Sequence, residues 1–250
     1  DIKKYDLQLA QMKDTEKREK YRIYGELLNT YGYSAKPGDK SLTAVNYYTS
    51  EPVTIPLDPT LSATENAKKY FDKYVKRTYE ALSELTTQVK EEIDHLETIS
   101  TALDIALKEE DLVEIKEELT QSGYIRRKGG TKKAKITSKP FHYLSSDGFH
   151  IYVGKNNFQN DELTFKFANG NDWWFHAKGI PGSHVVVKTE GKELPDRTFE
   201  EAGRLAAYYS KGREQEKVEI DYVQKKQVKK PAGAKPGFVV YYTNYSLMID

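Results

Sequence analysis

A long run of apolar residues, spaced three or four positions apart, constrains the fold of this chain more than any other feature. It extends from residue 71 to residue 103 through a segment rich in charged side chains. A narrow apolar stripe on a charged helix is typical of a coiled-coil seam rather than of one face of a globular core. Just before it, Ser62-Ala-Thr-Glu65 has the form of a capping box, which predicts the start of the helix. The stripe consists of Phe71, Tyr74, Thr78, Leu82, Leu85, Val89, Ile93, Leu96 and Leu103.

A second helix is predicted over residues 2–29. Apolar residues recur at helical spacing from Ile2 to Met12, and Gly32 ends the pattern. Two short runs rich in β-branched and aromatic residues, 43–48 and 52–57, predict a small hairpin between the helices. We therefore expect residues 1–123 to form a long antiparallel coiled-coil hairpin within one chain, with a small β tip over residues 31–61.

The two predicted helices differ in length. The chain also starts at Asp1 rather than Met and shows no signal segment, so we expect it to be a fragment of a longer protein. Part of the long helix must then pair with residues outside the fragment or with another chain. The oligomeric state is open at this point.

A separate domain is predicted after the coiled coil. A short helix is expected at 109–121, and residues 124–139 have the composition of a basic linker. Residues 140–250 mix both kinds of element, and the whole chain is therefore assigned to the α+β class. Thr198-Phe-Glu-Glu201 predicts a capping box for the last helix. The strands are expected near 141–144, 149–153, 173–178, 184–189, 217–223 and 237–243, and the helices near 159–168 and 198–211.

Charge is strongly segregated, although the net charge is only +1. Residues 80–121 are acidic, whereas residues 125–139 and 225–235 contain basic residues and no acidic ones. Two basic clusters in one domain favour a polyanionic partner over a merely solvated surface. The basic residues are Arg126, Arg127, Lys128, Lys132, Lys133, Lys135 and Lys139 in the first cluster and Lys225, Lys226, Lys229, Lys230 and Lys235 in the second.

The composition argues against several classes of protein. There is no Cys, which excludes a disulfide framework and a thiol nucleophile, and no apolar run is long enough to insert into a membrane. His176 and His184, with Asp161 and Asp172 nearby, could form a metal or acid–base centre, but their spacing matches no standard ligand signature. We expect no cofactor, no tightly bound metal and no enzymatic activity.

Gly154-Lys-Asn-Asn157 lies between a predicted strand and a predicted helix. Backbone N–H groups at such a junction, together with Lys155, could bind a phosphate. Equally, Asn156 and Asn157 could serve only as turn formers and a helix cap. The flanking glycine spacing of a P-loop is missing, so nucleotide hydrolysis is not supported.

The segment Trp173-Trp-Phe-His176 predicts a strand with two aromatic faces. Alternation sends Trp173 and Phe175 to one face and Trp174 and His176 to the other. One pair is expected in the core, and the other could stack on nucleic-acid bases. The alternative is that all four side chains are packed inside.

Taken together, these motifs resemble the RqcH/NEMF family. Gly154-Lys-Asn-Asn-Phe-Gln-Asn-Asp161, Asp172-Trp-Trp-Phe-His176 and Pro181-Gly-Ser-His184 resemble its NFACT-R domain. Tyr24-Gly-Glu-Leu-Leu28, Ile55-Pro-Leu-Asp-Pro59 and Glu65-Asn-Ala-Lys-Lys-Tyr-Phe71 resemble its coiled-coil middle region. The resemblance covers essentially the whole chain.

This resemblance implies a cytoplasmic role in ribosome-associated quality control. Members of the family bind the large ribosomal subunit and tRNA and, in bacteria, support alanine tailing of stalled nascent chains. Bacterial members are also described as FbpA-like surface adhesins that bind fibronectin or fibrinogen, which is the alternative here; a metal-dependent nuclease is a distant third. The candidate RNA-binding residues are Arg126, Arg127, Lys128, Lys132, Lys133, Lys155, Asn156, Asn157, Trp174, His176, Lys178, His184, Lys225, Lys226, Lys229 and Lys230.

Overall fold

The computed structural model describes residues 2–127 and 135–250. Two compact units are present, Asp1–Lys90 and Glu91–Asp250. Long helices and antiparallel sheets together make an α+β fold, as predicted. None of the helices in the described ranges is long and apolar enough to cross a membrane.

The first unit is a helical hairpin with a β tip. It contains helix α1 (Ile2–Tyr31), a 3₁₀ turn (Gly32–Ser34), strands β1 (Ser41–Asn46) and β2 (Glu51–Pro56), and the first part of helix α2 (Ala63–Ile105). The strands pair antiparallel, which confirms the predicted hairpin. The capping box is also present, since the Ser62 amide donates to Glu65 Oε2 at 2.8 Å and the Glu65 amide donates to Ser62 Oγ at 3.2 Å.

The helices α1 and α2 pack together next to this tip. The rings of Tyr21 and Tyr70 stack with their centroids 6.0 Å apart. A Cβ atom at Gly25 would lie 2.8 Å from the Phe71 ring, so glycine is needed for this approach. The core of the unit consists of Tyr24, Leu27, Leu28, Ile55 and Ala67.

The apolar stripe of α2 is only partly buried. Phe71 and Tyr74 are half-buried, whereas Leu82, Leu85 and Val89 are exposed. Steps of three, four and four residues repeat from residue 71 to residue 96, and eleven residues make close to three turns of a straight helix, so the stripe keeps to one side. The continuous seam from residue 71 to residue 103, and the pairing of part of the long helix with residues outside the fragment or with another chain, stay predictions.

The second unit contains the end of α2, three further helices and most of the strands. Helix α3 (Glu109–Gln121) has the predicted bounds, and helices α4 (Asn157–Glu162) and α5 (Asp196–Tyr208) follow. One π-helical turn (Leu163–Phe167) follows α4, and a 3₁₀ turn (Lys225–Gln227) follows a later strand. The strands are β3 (Phe141–Leu144), β4 (His150–Val153), β5 (Trp173–Ala177), β6 (Val185–Val187), β7 (Val218–Gln224), β8 (Val228–Lys229), β9 (Val240–Tyr241) and β10 (Tyr245–Ile249).

Six of these strands form one antiparallel sheet in the order β10-β7-β5-β6-β4-β3. Helix α5 covers one face, where Phe175, Val185 and Ile220 are fully buried. The π-helical turn and the segment 228–241 cover the centre of the other face, above Trp174 and Val186. This second face carries most of the chemistry-bearing residues, and its cover does not reach the edge strand β3.

Two local predictions in this unit were wrong. Helix α5 starts at Asp196, so Thr198 lies inside the helix, and its hydroxyl donates to Asp147 Oδ2 at 2.9 Å. Pro195 sets the entry to the helix because its φ is fixed. The predicted strand at 237–243 is only the two-residue β9, and the sheet is completed instead by β10, which pairs with β7.

Candidate nucleic-acid interface

The junction between β4 and α4, residues 154–160, is a closed polar turn. Asn156 caps α4, and its side-chain oxygen accepts from the Gln159 amide at 2.9 Å. Asn160 Oδ1 accepts from the backbone amide of His184 at 3.1 Å. A Cβ at Gly154 would lie 2.0 Å from that same oxygen, so only glycine fits there. We call residues 154–160 the amide turn.

The remaining polar groups of the amide turn contact buried carboxylates of α3. Lys155 Nζ lies 2.9 Å from Asp111 Oδ1, Asn156 Nδ2 donates to Glu114 at 2.7 Å, and Asn157 Nδ2 donates to Glu118 at 2.8 Å. His95 Nε2 lies 2.8 Å from the same Glu118 oxygen. The contacts between the amide turn and α3 leave no local sign in the sequence, because the residues of each pair are about forty positions apart along the chain.

Asp111 stays ionised in this network. Burial by itself would raise the pKa of Asp111, but hydrogen bonds from Ser138 and Lys155 outweigh burial and lower it to about 2. Helix α4 spans only six residues, and its cap is a side chain of the turn itself. Of the two interpretations of Gly154-Lys-Asn-Asn157, the geometry therefore favours the turn and cap over a phosphate site.

The predicted stacking pair Trp174 and His176 lies on the inner part of the second sheet face. Their rings are parallel within 8°, but Trp174 is fully buried beneath the 228–241 segment. His184 is buried beside them, with Nδ1 2.8 Å from Thr164 Oγ1 and Nε2 3.1 Å from the Gly237 carbonyl oxygen. Trp173 packs on the α5 side against Phe199.

Burial lowers the pKa of His176, and it lowers the pKa of His184 well below its usual value. Both imidazoles are therefore neutral near pH 7 and offer no charge to a phosphate. Among the side chains that the structure describes, in residues 9–127 and 135–250, no three from His, Asp or Glu converge as a metal-ligand set.

The basic candidates occupy different environments. Arg127 pairs with Glu117 at 2.8 Å, Lys178 pairs with Glu219 at 2.7 Å, and Lys230 pairs with Asp161 at 2.9 Å. Arg126 is exposed. Three others, Lys128, Lys132 and Lys133, lie outside the described residues.

The second basic cluster begins directly after β7, which ends at Gln224. Lys226 and Lys229 are exposed, and Lys225 Nζ lies 5.7 Å from the centre of the Phe165 ring. The amide of Lys226 donates to the Gly170 carbonyl at 3.0 Å, which fixes the cluster beside the loop before β5. That loop borders a polar cavity of about 300 Å³, which is lined by Asn169, Gly170, Asn171, Asp172, Thr189, Glu190 and Gly191.

Four aromatic residues at the β3–β4 end of the second sheet face were not among the sequence candidates. His142 and His150 stack, with Nε2 of the first 2.7 Å from Nδ1 of the second, and His142 also stacks on Tyr152 within 3°. The Tyr152 ring contacts the Phe167 ring. Lys188 Nζ lies 4.9 Å from the centre of the Phe167 ring. We call His142, His150, Tyr152 and Phe167 the aromatic edge. His142 on β3, and His150 and Tyr152 on β4, alternate with residues of the opposite sheet face. This alternation was the signal in the sequence that could have placed them on one face.

Comparison with known protein families covers residues 1–242 in two parts. The family described as NFACT N-terminal and middle domains matches residues 1–138, and the one described as NFACT protein RNA binding domain matches residues 139–242. The chain is 42% identical over 250 residues to a protein of Streptococcus suis named "Rqc2 homolog RqcH". This match covers 99% of this chain and 45% of that protein. The chain is 40% identical over 242 residues to the Bacillus subtilis protein of the same name, covering 94% of this chain and 42% of that protein.

A solved structure has the same fold. The C-terminal part of the fibronectin/fibrinogen-binding protein from Streptococcus suis matches with a TM-score of 0.67 at 36% identity, over 97% of this chain and 87% of that one. The predicted α+β architecture and the predicted resemblance are both confirmed by these matches. The chain spans less than half the length of the curated relatives named above.

Proposed function

This chain belongs to the NFACT family, and on that premise we propose that it is the RNA-binding part of a ribosome-associated quality control factor. The whole protein would bind stalled large ribosomal subunits and tRNA in the cytoplasm and support alanine tailing of the nascent chain. The role proposed for residues 1–250 is one of binding, without catalysis or a cofactor.

The observation that carries this proposal is the position of the second basic cluster. Lys226 and Lys229 are exposed, and Lys225 is held over Phe165 at the same end of the sheet. The Lys225 ammonium group lies close to an aromatic ring rather than to a buried carboxylate such as the one that binds Lys155. Lysines in this setting can neutralise phosphates, and the rings beside them can contact bases.

A double charge reversal tests the contribution of the exposed lysines. Lys226→Glu with Lys229→Glu should weaken binding of single-stranded RNA and lower the salt dependence, because each lost phosphate contact removes about 0.7 from the log–log slope. The matched control is Lys211→Glu with Lys217→Glu, at the opposite end of β7, which changes the net charge equally. Unchanged affinity and slope in the first variant would contradict the proposed surface.

The cellular role needs the intact protein. Affinity purification of the full-length factor from cells should recover large ribosomal subunits that carry tRNA, and a full-length variant with both lysines reversed should recover fewer. Recovery of neither subunits nor tRNA with the wild-type factor would exclude the ribosomal role.

A second candidate function is adhesion to host fibronectin or fibrinogen. The solved relative carries that description, and β3 and β10 are the edge strands of the sheet in this chain. An extended host segment could add to such an edge through backbone hydrogen bonds. Binding by strand addition should vary little with salt, whereas RNA binding through lysines should weaken steeply.

A further inference from the structure

The second face of the sheet is covered at its centre and open at its β3 end. Tyr152 pairs with His142 across β4 and β3, and with Val186 on the other side, which in turn pairs with Trp174. This row therefore runs from a fully buried tryptophan to an exposed histidine on the edge strand. The aromatic edge is the uncovered end of a face whose other end is core.

The rings of the aromatic edge are arranged before any partner arrives. The centroids of His142 and Tyr152 are 4.5 Å apart and those of Tyr152 and Phe167 are 4.7 Å apart. Phe167 is 41% exposed, so its ring is available from solvent. Prearranged rings lose little side-chain entropy on binding, which favours a partner that is itself flat and aromatic.

Two lysines contact rings of the π-helical turn that carries Phe167. Lys188 lies over Phe167 and is fixed by Asp172 at 2.5 Å and by the Phe167 carbonyl oxygen at 3.2 Å. On the same π-helical turn, Phe165 lies beneath Lys225, from which the exposed Lys226 follows. The π-helical turn thus carries both one ring of the aromatic edge and the ring that contacts the second basic cluster.

We propose that the aromatic edge is a stacking site for unpaired RNA bases, with the second basic cluster holding the adjoining phosphates. This inference rests on the RNA-binding function proposed above and assigns a specific surface to it. A base stacked on these rings needs its π-face free, so single strands, loops and flipped-out bases fit the surface and continuous duplex does not. An aliphatic protein partner would not need the nitrogen-bearing edges of two histidines or the bordering lysines.

The test removes rings without changing charge clusters. His142→Ala with Phe167→Ala should weaken binding of a fluorescent oligouridylate about five- to hundredfold, the range expected for loss of base–aromatic stacking. The salt slope should stay as in the wild type, because no phosphate contact is lost. Tyr208→Ala, which removes an exposed ring on α5, is the matched control and should bind normally. His142→Phe keeps a ring at the edge and should retain affinity.

The outcomes separate this proposal from the function beneath it. If the wild-type chain binds neither oligouridylate nor duplex RNA, the proposed function fails. If it binds RNA and responds to Lys226→Glu with Lys229→Glu but not to loss of the rings, only the stacking site is wrong.

A crosslinking measurement gives an answer that does not depend on variants. Oligouridylate containing 4-thiouridine, irradiated with the wild-type chain, should label peptides from residues 141–153 or 163–167. Labelling confined to other peptides would overturn the proposal, as would stronger binding to duplex RNA than to the single strand.

Discussion

The amide turn and the aromatic edge meet at one strand, since His150 and Tyr152 of the edge lie on β4 and the amide turn follows β4 directly after Val153. Both are rich in the residue types that bind nucleic acids. In the amide turn, Asn156 and Asn157 are 2% and 5% exposed, and their amides donate to buried carboxylates of α3. At the aromatic edge, the His142 ring is exposed and contacts the rings of His150 and Tyr152.

This difference shows that residue type alone does not identify a binding surface. A polar group can recognise a ligand only where the fold has not already supplied its partner. The amide turn looks like a phosphate site in the sequence because its partners, Asp111, Glu114 and Glu118, come from a helix some forty residues away. Three measurements test the contrast, from the largest expected effect on stability to the smallest.

The largest effect is expected where the amide turn meets α3. Lys155→Ala would leave the Asp111 carboxylate, whose side chain is 2% exposed, without its cation. Loss of one partner of a buried ion pair typically costs about 3–5 kcal/mol of unfolding free energy. Urea unfolding followed by tryptophan fluorescence measures this directly, because both tryptophans lie in β5 of the second unit.

The matched control is Lys178→Ala. Lys178 also forms an ion pair, with Glu219, but the two side chains are 49% and 41% exposed. Exposed pairs contribute little to stability, so this variant should unfold at the same urea concentration as the wild type. Equal destabilisation by the two variants would show that the amide turn is no more structural than the surface.

The next largest effect should come from pH and should occur in two steps. Burial lowers the pKa values of His176 and His184 from 6.5 in the folded protein. As pH falls, these histidines are therefore protonated in the unfolded chain before they are protonated in the folded one. Stability should therefore fall as pH drops below 6.5, by up to about 1.4 kcal/mol per pH unit for each imidazole. Asp111, with its pKa lowered from 3.8 to about 2, adds a second loss only as pH falls below 3.8.

Replacement of one histidine separates these steps. His184→Gln should reduce the slope of stability against pH between pH 6.5 and the onset of the carboxylate step, and leave the step below pH 3.8 in place. Gln keeps a donor and an acceptor near Thr164 and Gly237, although its shape differs from that of imidazole. An unchanged slope would mean that His184 is not neutral in the folded protein.

The sequence predicted elements whose signals are local. The bounds of α3, the hairpin of β1 and β2, and the capping box at Ser62 and Glu65 are as expected, because each depends on neighbours within a few residues. The prediction of a capping box at Thr198 was wrong because the helix starts earlier, after Pro195. The Thr198 hydroxyl donates instead to Asp147, which is distant in the sequence. Tertiary contacts of that kind leave no trace in periodicity.

Exposure of the candidate site was the least predictable property. Alternation correctly separated Trp174 from Phe175, since they lie in different cores on opposite faces of the sheet. It could not show that residues 228–241 return over Trp174 and stop short of His142. Whether an aromatic residue on a strand lies in the core or at the surface depends on this covering segment. The strands β8 and β9 of the segment are two residues each, which is too short for a periodic signal in the sequence.

The smallest effect on stability is expected at the aromatic edge itself. His142→Ala removes an exposed ring that touches His150 and Tyr152 but fills no buried space, so the change should stay within about 0.5 kcal/mol, as for most surface substitutions. The matched change at a buried position is His184→Ala, which removes a fully buried ring and should cost several times as much stability. If His142→Ala destabilises the domain as strongly as His184→Ala, the aromatic edge is part of the core in solution, and its rings are not available to a ligand. A stable variant that has lost affinity for single-stranded RNA would instead separate recognition from folding at adjacent positions of one sheet.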